Sequence, residues 1–343
     1  MTAGSGTVFP RGTQGWRAFA LRWLVIGLVF TAGGAYMFRM PGRSYDQPLK
    51  PLTAAEMAIR DRLRWHVRTL AGEIGERNVW RFTALQAAAG HIGNELRGAC
   101  YAVTEQSFMA EGKTVRNLEA ELTGTDSSAG IVIVGAHYDT VPGTPGANDN
   151  ASGAAALLEI ARLLAGKPLD RTVRFVFFVN EEPPFFKTDR MGSLVYARRS
   201  RQSGERIDGM LSLETIGYYS DAPQSQRYPL PLGAFYPATA DFIAFVGNTG
   251  SRRLVRQALE TFRRTTSFPS EGAVVPGWIT GVGWSDHWSF WHEGYPALMV
   301  TDTAFFRYDR YHGPEDTPDR LDYDRMARVV AGLGRVVTAL AER

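Results

Sequence analysis

One loop of the chain carries a histidine and two aspartates that backbone structure alone does not require. It reads HYDTVPGTPGANDN, residues 137–150, and holds His137, Asp139 and Asp149 among prolines and glycines. Proline, glycine and asparagine are the ordinary residues of a turn, whereas an imidazole and two carboxylates are not needed to make one. Further residues of these types stand later in the chain: Glu181, Glu182, Glu214 and His312. Two imidazoles and several carboxylates, with no cysteine among them, are the ligand set of zinc or a similar divalent ion.

The candidate ligands follow apolar runs that predict buried strands. The runs are IVIVGA at 131–136, TVRFVFFV at 172–179, MLSLE at 210–214 and PALMV at 296–300. Each candidate stands at or after the carboxyl end of one run, and Asp149 lies between a run and the helix expected after it. In open α/β sheets, ligands bind at that edge. A lone loop histidine is more often a surface residue, but acids directly after an apolar strand must find partners or a cation.

The remaining pattern predicts an α/β fold. Strands that are apolar on both faces alternate with helices, which indicates a sheet covered on both sides. Ser152 is expected to cap a helix that Gly166 ends, and residues 218–238 read as a long loop that forms a pocket wall or lid. The other expected helices lie near 53–74, 82–97, 251–264 and 321–341, and the other expected strands at 115–122 and 241–247.

Composition and charge restrict the class of protein. The chain has 343 residues, 44% of them hydrophobic, and a formal net charge of +3, as in an ordinary globular protein. Residues 1–45 contain five arginines and no acidic residue, so the rest of the chain holds 33 basic and 35 acidic residues. That balance removes the electrostatic case for a nucleic-acid partner, and no protein partner is indicated. Cys100 is the sole cysteine, so no intrachain disulfide can form.

The N-terminal segment predicts export. Residues 23–38, WLVIGLVFTAGGAYMF, are uncharged and follow three arginines. If residues 18–21 join them and Arg22 extends toward the lipid headgroups, a transmembrane helix over 18–38 anchors the chain. The alternative is a signal segment that is cleaved at the small residues 32–35 and leaves a secreted protein. Either interpretation keeps the arginines in the cytoplasm and places the rest in the periplasm or outside the cell.

The N-terminal pattern also predicts a domain boundary. A proline-rich linker follows the apolar segment at 40–51, as is usual between a helix and a folded domain. We therefore expect two parts. Residues 1–45 form a cytoplasmic stub with an anchor or signal, and residues 46–343 form the catalytic domain.

The candidate ligands belong to a series of short motifs. In chain order these are GAHYDT (135–140), PGANDNASG (145–153), NEE (180–182), GS (192–193), SLETIGY (212–218), SDHWSF (285–290) and YHGPEDTPD (311–319). The series resembles the co-catalytic dizinc exopeptidases, which include secreted bacterial aminopeptidases, glutamate carboxypeptidase, the glutaminyl cyclases and the transferrin receptor ectodomain. The resemblance covers roughly residues 60–340, and linked motifs in order are far more specific than any one of them. It implies a mixed, mostly parallel central sheet with helices on both faces.

The resemblance implies a role for each ligand residue. Asp149 would bridge two zinc ions, with His137 and Glu214 completing one site and Glu182 and His312 the other. Two Zn²⁺ per chain would lower the pKa of a shared water and polarise the scissile carbonyl. The remaining histidines lie on expected helices away from the strand ends and are given no role: His66, His91 and His292.

The resemblance also implies roles for residues beside the metals. Glu181 would be the general base that takes the water proton and returns it to the leaving amine. Asp139 would orient a ligating imidazole, as such a ligand normally requires. Tyr311 would donate a hydrogen bond from its hydroxyl to the oxyanion, as a tyrosine does in some relatives. The alternative is that its ring only packs beside the site. Asp286 and His287 would support the site by hydrogen bonding.

The chain departs from the family pattern in three places. Glu214 stands where many members carry aspartate, and it remains a competent oxygen ligand. The sequence PPFFKTDRM, residues 183–191, intervenes where the family usually has a short glycine-containing turn, which puts the substrate-pocket geometry in question. Many secreted members also lack an N-terminal anchor.

The sequence therefore predicts a zinc-dependent aminopeptidase that acts on peptides with a free N-terminus, outside the cytoplasm. One alternative is a glutaminyl-peptide cyclotransferase, which keeps a single zinc ion. The other is a non-catalytic receptor-like ectodomain. Such ectodomains lose metal ligands, whereas this chain has all five and the general base.

Overall fold

The computed structural model describes residues 12–230 and 232–342. The chain divides into two compact units between Arg39 and Met40. Residues 1–11, which belong to the predicted cytoplasmic stub, lie outside the described residues.

Helix α1, Gly12–Phe38, forms the first unit. It confirms that the apolar N-terminal segment is helical, but a transmembrane span over 18–38 is not supported. In the part of the chain that the structure describes, no helix is long and apolar enough to cross a membrane. Arg17 and Arg22 lie within α1 and lower its hydropathy.

The second unit contains a central sheet and the helices that cover it. Its described strands are β1 (Val103–Ala110), β2 (Lys113–Leu122), β3 (Ile131–His137), β4 (Val173–Phe178), β5 (Ile207–Glu214), β6 (Ile243–Gly247), β7 (Ser270–Val274) and β8 (Ala297–Thr301). Its described α-helices are α2 (Ala54–Val67), α3 (Phe82–Gly98), α4 (Gly153–Leu164), α5 (Gly192–Gln202), α6 (Arg252–Thr265), α7 (His287–His292), α8 (Ala304–Arg307) and α9 (Tyr323–Ala341). Helix α2 starts at a capping box between Thr53 and Glu56 and continues into a wider π-helical turn, Arg68–Ile74.

The sheet is mixed, and its centre is parallel. The strand order is β1-β2-β4-β3-β5-β8-β6-β7. Strands β4, β3, β5 and β8 pair in parallel, as do β6 and β7, whereas the β1/β2, β2/β4 and β6/β8 pairs are antiparallel. The four central strands therefore end together at one edge, which is where α/β sheets bind ligands.

Apolar side chains leave both faces of the sheet, as the continuous apolar runs predict. On β3, Val132 and Val134 enter the larger core, and Ile133 enters a smaller core on the opposite face. Helices α4 and α9 contact β3 on the first face, whereas α7 contacts β5 and β8 on the second. Helices thus pack against both faces of the central strands, and the loops that follow these strands start from fixed positions.

Most of the predicted elements are confirmed, and the errors have local causes. Strands β1 and β7 and helices α5, α7 and α8 were not predicted, since they are short or carry exposed polar residues. The prediction that Ser152 caps α4 is wrong, because its backbone is helical and its side chain makes no cap hydrogen bond. The Ser152 hydroxyl instead donates to the Asn148 carbonyl and accepts from the Ile216 amide, at 2.6 and 3.0 Å. The hydroxyl therefore links two loops at the sheet edge.

Candidate metal centre

The polar residues predicted from the sequence meet at the carboxyl edge of the central strands. His137 is the last residue of β3 and Glu214 the last of β5. Glu181 and Glu182 follow β4 within four residues, and His312 lies in the loop after α8. Strand pairing places β3 between β4 and β5, so the sheet itself brings these loops together.

Asp149 lies between two histidines and offers one carboxylate oxygen to each. Its Oδ1 is 3.2 Å from His137 Nε2 and its Oδ2 is 3.0 Å from His312 Nε2. A second carboxylate approaches each imidazole: Glu214 Oε2 is 3.3 Å from His137 Nε2, and Glu182 Oε2 is 3.3 Å from His312 Nε2. The arrangement has two halves that share Asp149.

Each half has the dimensions of a zinc site. Donor atoms at about 2.0–2.1 Å from a tetrahedral zinc ion are roughly 3.3 Å from one another, close to the separations around Asp149. Among the described residues, groups able to hold a metal ion include His137 with Asp149 and Glu214, and Asp149 with Glu182 and His312. Several of these buried donor atoms lack a hydrogen-bond partner: His137 Nε2, Asp149 Oδ1, Glu182 Oε1 and His312 Nε2. Unpaired buried donors of this kind fit a metal ion.

The carboxylates of the cluster raise the pKa values of both imidazoles. Burial lowers the pKa of His312, but the adjacent carboxylates of Asp149 and Glu182 outweigh it and raise the pKa to about 10. Burial also lowers the pKa of His137, yet Glu214 and neighbouring carboxylates raise it well above its usual value. The surrounding carboxylates thus favour the protonated form of both imidazoles.

Asp139 fixes the paired glutamates as well as the histidine. Its Oδ1 accepts a hydrogen bond from the Glu181 amide at 3.1 Å and lies 3.5 Å from His137 Nδ1, and its Oδ2 accepts from the Glu182 amide at 3.3 Å. One carboxylate thus positions residues from two loops. Glu181 itself is buried, with Oε2 3.9 Å from His137 Nε2. Burial raises the pKa of Glu181 well above its usual value, and Glu182 raises it further, against a lowering by His137.

The SDH motif supports Glu214 from behind. Ser285 Oγ donates to Glu214 Oε2 at 2.8 Å and is also 2.8 Å from Ser212 Oγ. Burial lowers the pKa of His287 to about 4, so its neutral ring donates from Nε2 to the Val282 carbonyl at 2.8 Å. Asp286 is fully buried, and burial raises its pKa to about 7.

Tyr311 lies directly against a predicted ligand. Its ring stacks on the His312 ring, with centroids 3.9 Å apart and planes 17° from parallel. Burial raises the pKa of Tyr311 well above its usual value, and the carboxylates of Asp149 and Glu182 raise it further. The hydroxyl therefore stays protonated and can donate a hydrogen bond.

Arg77, which the sequence did not single out, holds the loop that carries the first ligands. It is fully buried. Its Nε donates to the Tyr138 carbonyl at 2.7 Å, and its Nη atoms donate to Pro145 and Gly146 carbonyls at 2.6 and 2.9 Å. Further bonds reach the carbonyls of Leu70 and Gly75. Because these acceptors are backbone atoms, no side-chain motif signals the contact.

Asp316 is a second residue that was not assigned a role, although it lies in the YHGPEDTPD motif. Its two oxygens accept hydrogen bonds from the backbone amides of Asn148 and Asp149, at 2.8 and 3.1 Å. Burial raises the pKa of Asp316 to about 6. The loop that carries His312 is thereby joined to the loop that carries the shared aspartate.

The histidines given no role lie elsewhere. His66 on α2 and His91 on α3 contact each other at 3.2 Å, and His66 lies 3.6 Å from Glu159 Oε1. His292, at the end of α7, pairs with the neighbouring Glu293. They are not among the candidate metal groups of the described residues.

Comparison with known proteins agrees with this geometry. The model of Peptidase family M28 matches residues 117–337. Protein YfbL of Escherichia coli (strain K12) is 38% identical over 310 residues, which cover 87% of this chain and 94% of YfbL. Leucine aminopeptidase 1 of Arthroderma otae is 26% identical over 81% of this chain and 71% of its own length. The fold is similar to that of BSAP, a zinc aminopeptidase from Bacillus subtilis, with a TM-score of 0.67 and 16% identity over 83% of this chain and 95% of that one.

Proposed function

The chain belongs to peptidase family M28, and we propose that it is a zinc-dependent aminopeptidase that releases N-terminal residues from peptides. The observation that carries this proposal is the shared carboxylate of Asp149, which presents one oxygen to each of two imidazoles. A relative of the chain, leucine aminopeptidase 1 of Arthroderma otae, is named for this activity, which supports the proposal. The activity requires a metal pair, a base and a place for the N-terminal residue.

Two zinc ions would be held by five side chains. His137 and Glu214 would bind one, His312 and Glu182 the other, and Asp149 both. The separations of 3.0–3.3 Å between these donor atoms and their lack of other partners support the assignment. When bound, zinc ions in this arrangement acidify a shared water and polarise the scissile carbonyl.

Glu181 is the proposed general base. Its buried carboxylate points toward His137, and burial gives it a raised pKa. A carboxyl group with a raised pKa can hold the proton taken from water and release it to the leaving amine. Asp139 positions the Glu181 backbone, and Tyr311 would donate its hydroxyl to the oxyanion that forms at the carbonyl. Hydrogen-bonding support for Glu214 comes from Ser285, whereas His287 bonds to the Val282 carbonyl and the Asp286 carboxylate has no hydrogen-bond partner among the described residues.

An apolar cavity beside the site is suited to the N-terminal side chain. Its wall includes Val246, Gly281, Val282, Met299 and Phe305. The Phe305 ring is 5.7 Å from the Tyr311 ring, so the cavity adjoins the site. We infer a preference for large apolar N-terminal residues. The loop over residues 218–238 contributes Tyr228 and Leu232 to the same wall, which agrees with its expected role.

The proposal is tested on the purified full-length chain. We expect two zinc ions per chain, hydrolysis of leucyl anilide, and loss of that activity on chelation. Glu181→Gln should lower kcat by about 10²–10⁴-fold, as removal of a general base does, without changing the metal content. Glu73→Gln, at an exposed glutamate of the π-helical turn, is the control. Full activity in Glu181→Gln would show that the mechanism is wrong.

The same experiment distinguishes the alternatives. A glutaminyl cyclase would convert N-terminal glutamine peptides, bind close to one zinc ion and tolerate His137→Ala. A receptor-like ectodomain would show no turnover of anilides, acylated peptides or glutamine peptides. The presence of all five ligand side chains in one cluster favours the peptidase.

We further propose that residues 46–343 are the catalytic domain and work outside the cytoplasm. The support is the run of arginines followed by an apolar segment at 23–38. The segment either holds the chain at the membrane or is removed on secretion. Fractionation of cells, protease treatment of intact cells and N-terminal sequencing of the mature chain would decide. A protein found only in the cytosol would refute the proposal.

A further inference from the structure

The chain-specific sequence at residues 183–191 forms an ordered loop beside the site. The Phe185 amide donates to the Glu182 carbonyl at 2.9 Å, and the Thr188 amide and hydroxyl both donate to the Phe185 carbonyl, at 2.9 and 2.6 Å. The Phe185 ring stacks on Trp80 with centroids 5.9 Å apart. The loop therefore has a defined shape and begins at a proposed zinc ligand.

This loop holds one lysine against two aromatic rings. Lys187 Nζ lies 4.9 Å from the centre of the Phe186 ring and 5.1 Å from that of Trp288. Such contacts attract an ammonium group and keep it in place. Trp288 belongs to the SDHWSF motif, and its amide donates to the Ser285 carbonyl at 3.0 Å. The lysine is thus positioned by the same motif that supports Glu214.

The backbone conformation of Lys187 is unusual and fixes the direction of its side chain. Its φ is +59°, in the left-handed region that few residues other than glycine adopt. Its amide donates to Met191 Sδ at 3.3 Å, which holds the turn. Residues kept in this region are often found where a side chain must be aimed.

The lysine has a charge that the protein does not neutralise. No acidic side chain within residues 12–230 and 232–342 comes within 4.0 Å of Nζ to form an ion pair. Burial lowers the pKa of Lys187, and Glu181 is the charged group that opposes this lowering. An unpaired ammonium group therefore faces solvent on the loop that follows the paired glutamates.

We propose that Lys187 binds a carboxylate on the leaving residue of the substrate, so that dipeptides and peptides with an acidic second residue are preferred. The inference rests on the proposed function. Glu181 returns a proton to the leaving nitrogen, so that nitrogen must lie beside Glu181. In a dipeptide, the α-carboxylate oxygens are about 3 Å from that nitrogen by covalent geometry. Lys187 lies on the loop that follows Glu182, is tied back to it through the Phe185 amide and packs on Trp288, so its ammonium group is the cation placed to meet this carboxylate.

Four substrates distinguish binding of the α-carboxylate of a dipeptide from binding of the side-chain carboxylate of an acidic second residue. Leu-Gly against Leu-Gly amide tests the α-carboxylate, and Leu-Asp amide against Leu-Asn amide tests a side-chain carboxylate. In the wild type we expect the charged member of at least one pair to have the higher kcat/KM by about tenfold, mainly through KM, as one charge-assisted hydrogen bond can provide. Lys187→Met should bring that ratio close to one, and Lys187→Arg should retain most of it. Lys167→Met, at an exposed lysine after α4, should keep the wild-type ratio.

The outcomes are distinct. Ratios near one for both pairs in the wild type, or an unchanged ratio in Lys187→Met, would overturn the role of Lys187 while leaving the peptidase intact. Absence of hydrolysis of leucyl anilide and of all four peptides would instead refute the proposed function. If Lys187→Met folds poorly, the wild-type ratio measured against salt serves in its place. It should fall as salt screens the ion pair, and a salt-independent ratio contradicts the proposal.

Discussion

Replacing Arg77 by methionine tests whether the ligand loop depends on a residue that touches neither metal nor substrate. The guanidinium donates to five backbone carbonyls, three of them between Tyr138 and Gly146. Methionine fills much of the same volume but donates nothing. A buried acceptor left without a donor costs about 1–3 kcal/mol. Since water can enter to satisfy some of the carbonyls, we expect a loss of about 3–5 kcal/mol in the free energy of unfolding.

The loss should appear in zinc affinity as well as in stability. Residues that orient metal ligands typically change affinity by about 10–100-fold when mutated. We would measure zinc affinity by competition with a chromophoric chelator, and unfolding by urea, in Arg77→Met and Arg77→Lys. Lysine keeps the charge but can satisfy at most about three acceptors, so its effect should be intermediate. Arg190→Met, at an exposed arginine on the 183–191 loop, is the control. If Arg77→Met loses stability but binds zinc within twofold of the wild type, Arg77 does not position the ligands.

Three further predictions follow from the pKa values and the cavity. Zinc binding should release protons, because the carboxylates favour protonated His137 and His312 and an imidazole must be neutral to bind a metal ion. Calorimetry in buffers of different ionisation enthalpy should detect this release, and zinc affinity should rise with pH up to about 10, the pKa of His312. In Ala244→Phe, the added ring would occupy part of the apolar cavity. The variant should therefore lower kcat/KM for leucyl anilide by about tenfold relative to alanyl anilide. An equal loss for both substrates would refute the assignment of the cavity. Burial lowers the pKa of His91 to about 4, with His66 adding to the shift. The folded state therefore resists protonation of His91. The contribution of His91 to the free energy of unfolding should be fully present above pH 6.5 and be lost as the pH falls toward 4. The urea midpoint of His91→Gln should fall less steeply with decreasing pH than that of the wild type, whereas the exposed His292→Gln should behave like the wild type.

The sequence predicted the metal-ligand side chains but not the residues that hold their loops in place. His137 and Glu214 could be identified because each ends an apolar strand, where a titratable side chain is unexpected without a partner. Arg77 could not be identified, since it binds carbonyl groups that every residue possesses. Asp316 acts in the same way through backbone amides. Contacts to the backbone have no counterpart in side-chain chemistry, so only the folded structure reveals them.

The errors in secondary structure have a similar origin. Ser152 has the residue type of a helix cap, but its hydroxyl is used to join two loops. Strand β1 has a largely exposed face and lies at the edge of the sheet, so its hydrophobic pattern is weak. In both cases the position of the residues in the fold, and not the local sequence pattern, determined the structure.

The bond between Asp316 and the Asn148 amide has a consequence for how the protein is made. The two residues are 168 positions apart, and His312 is on the same late segment. A chain still on the ribosome can expose its first ligands long before the last ones are synthesised. The half of the metal centre that His312 would complete can therefore form only after this late segment has been synthesised. Products of termination between β8 and Tyr311 would lack both His312 and the contact that joins its loop to Asp149. Such truncated chains cannot assemble both halves of the metal centre, whatever the first half has already bound.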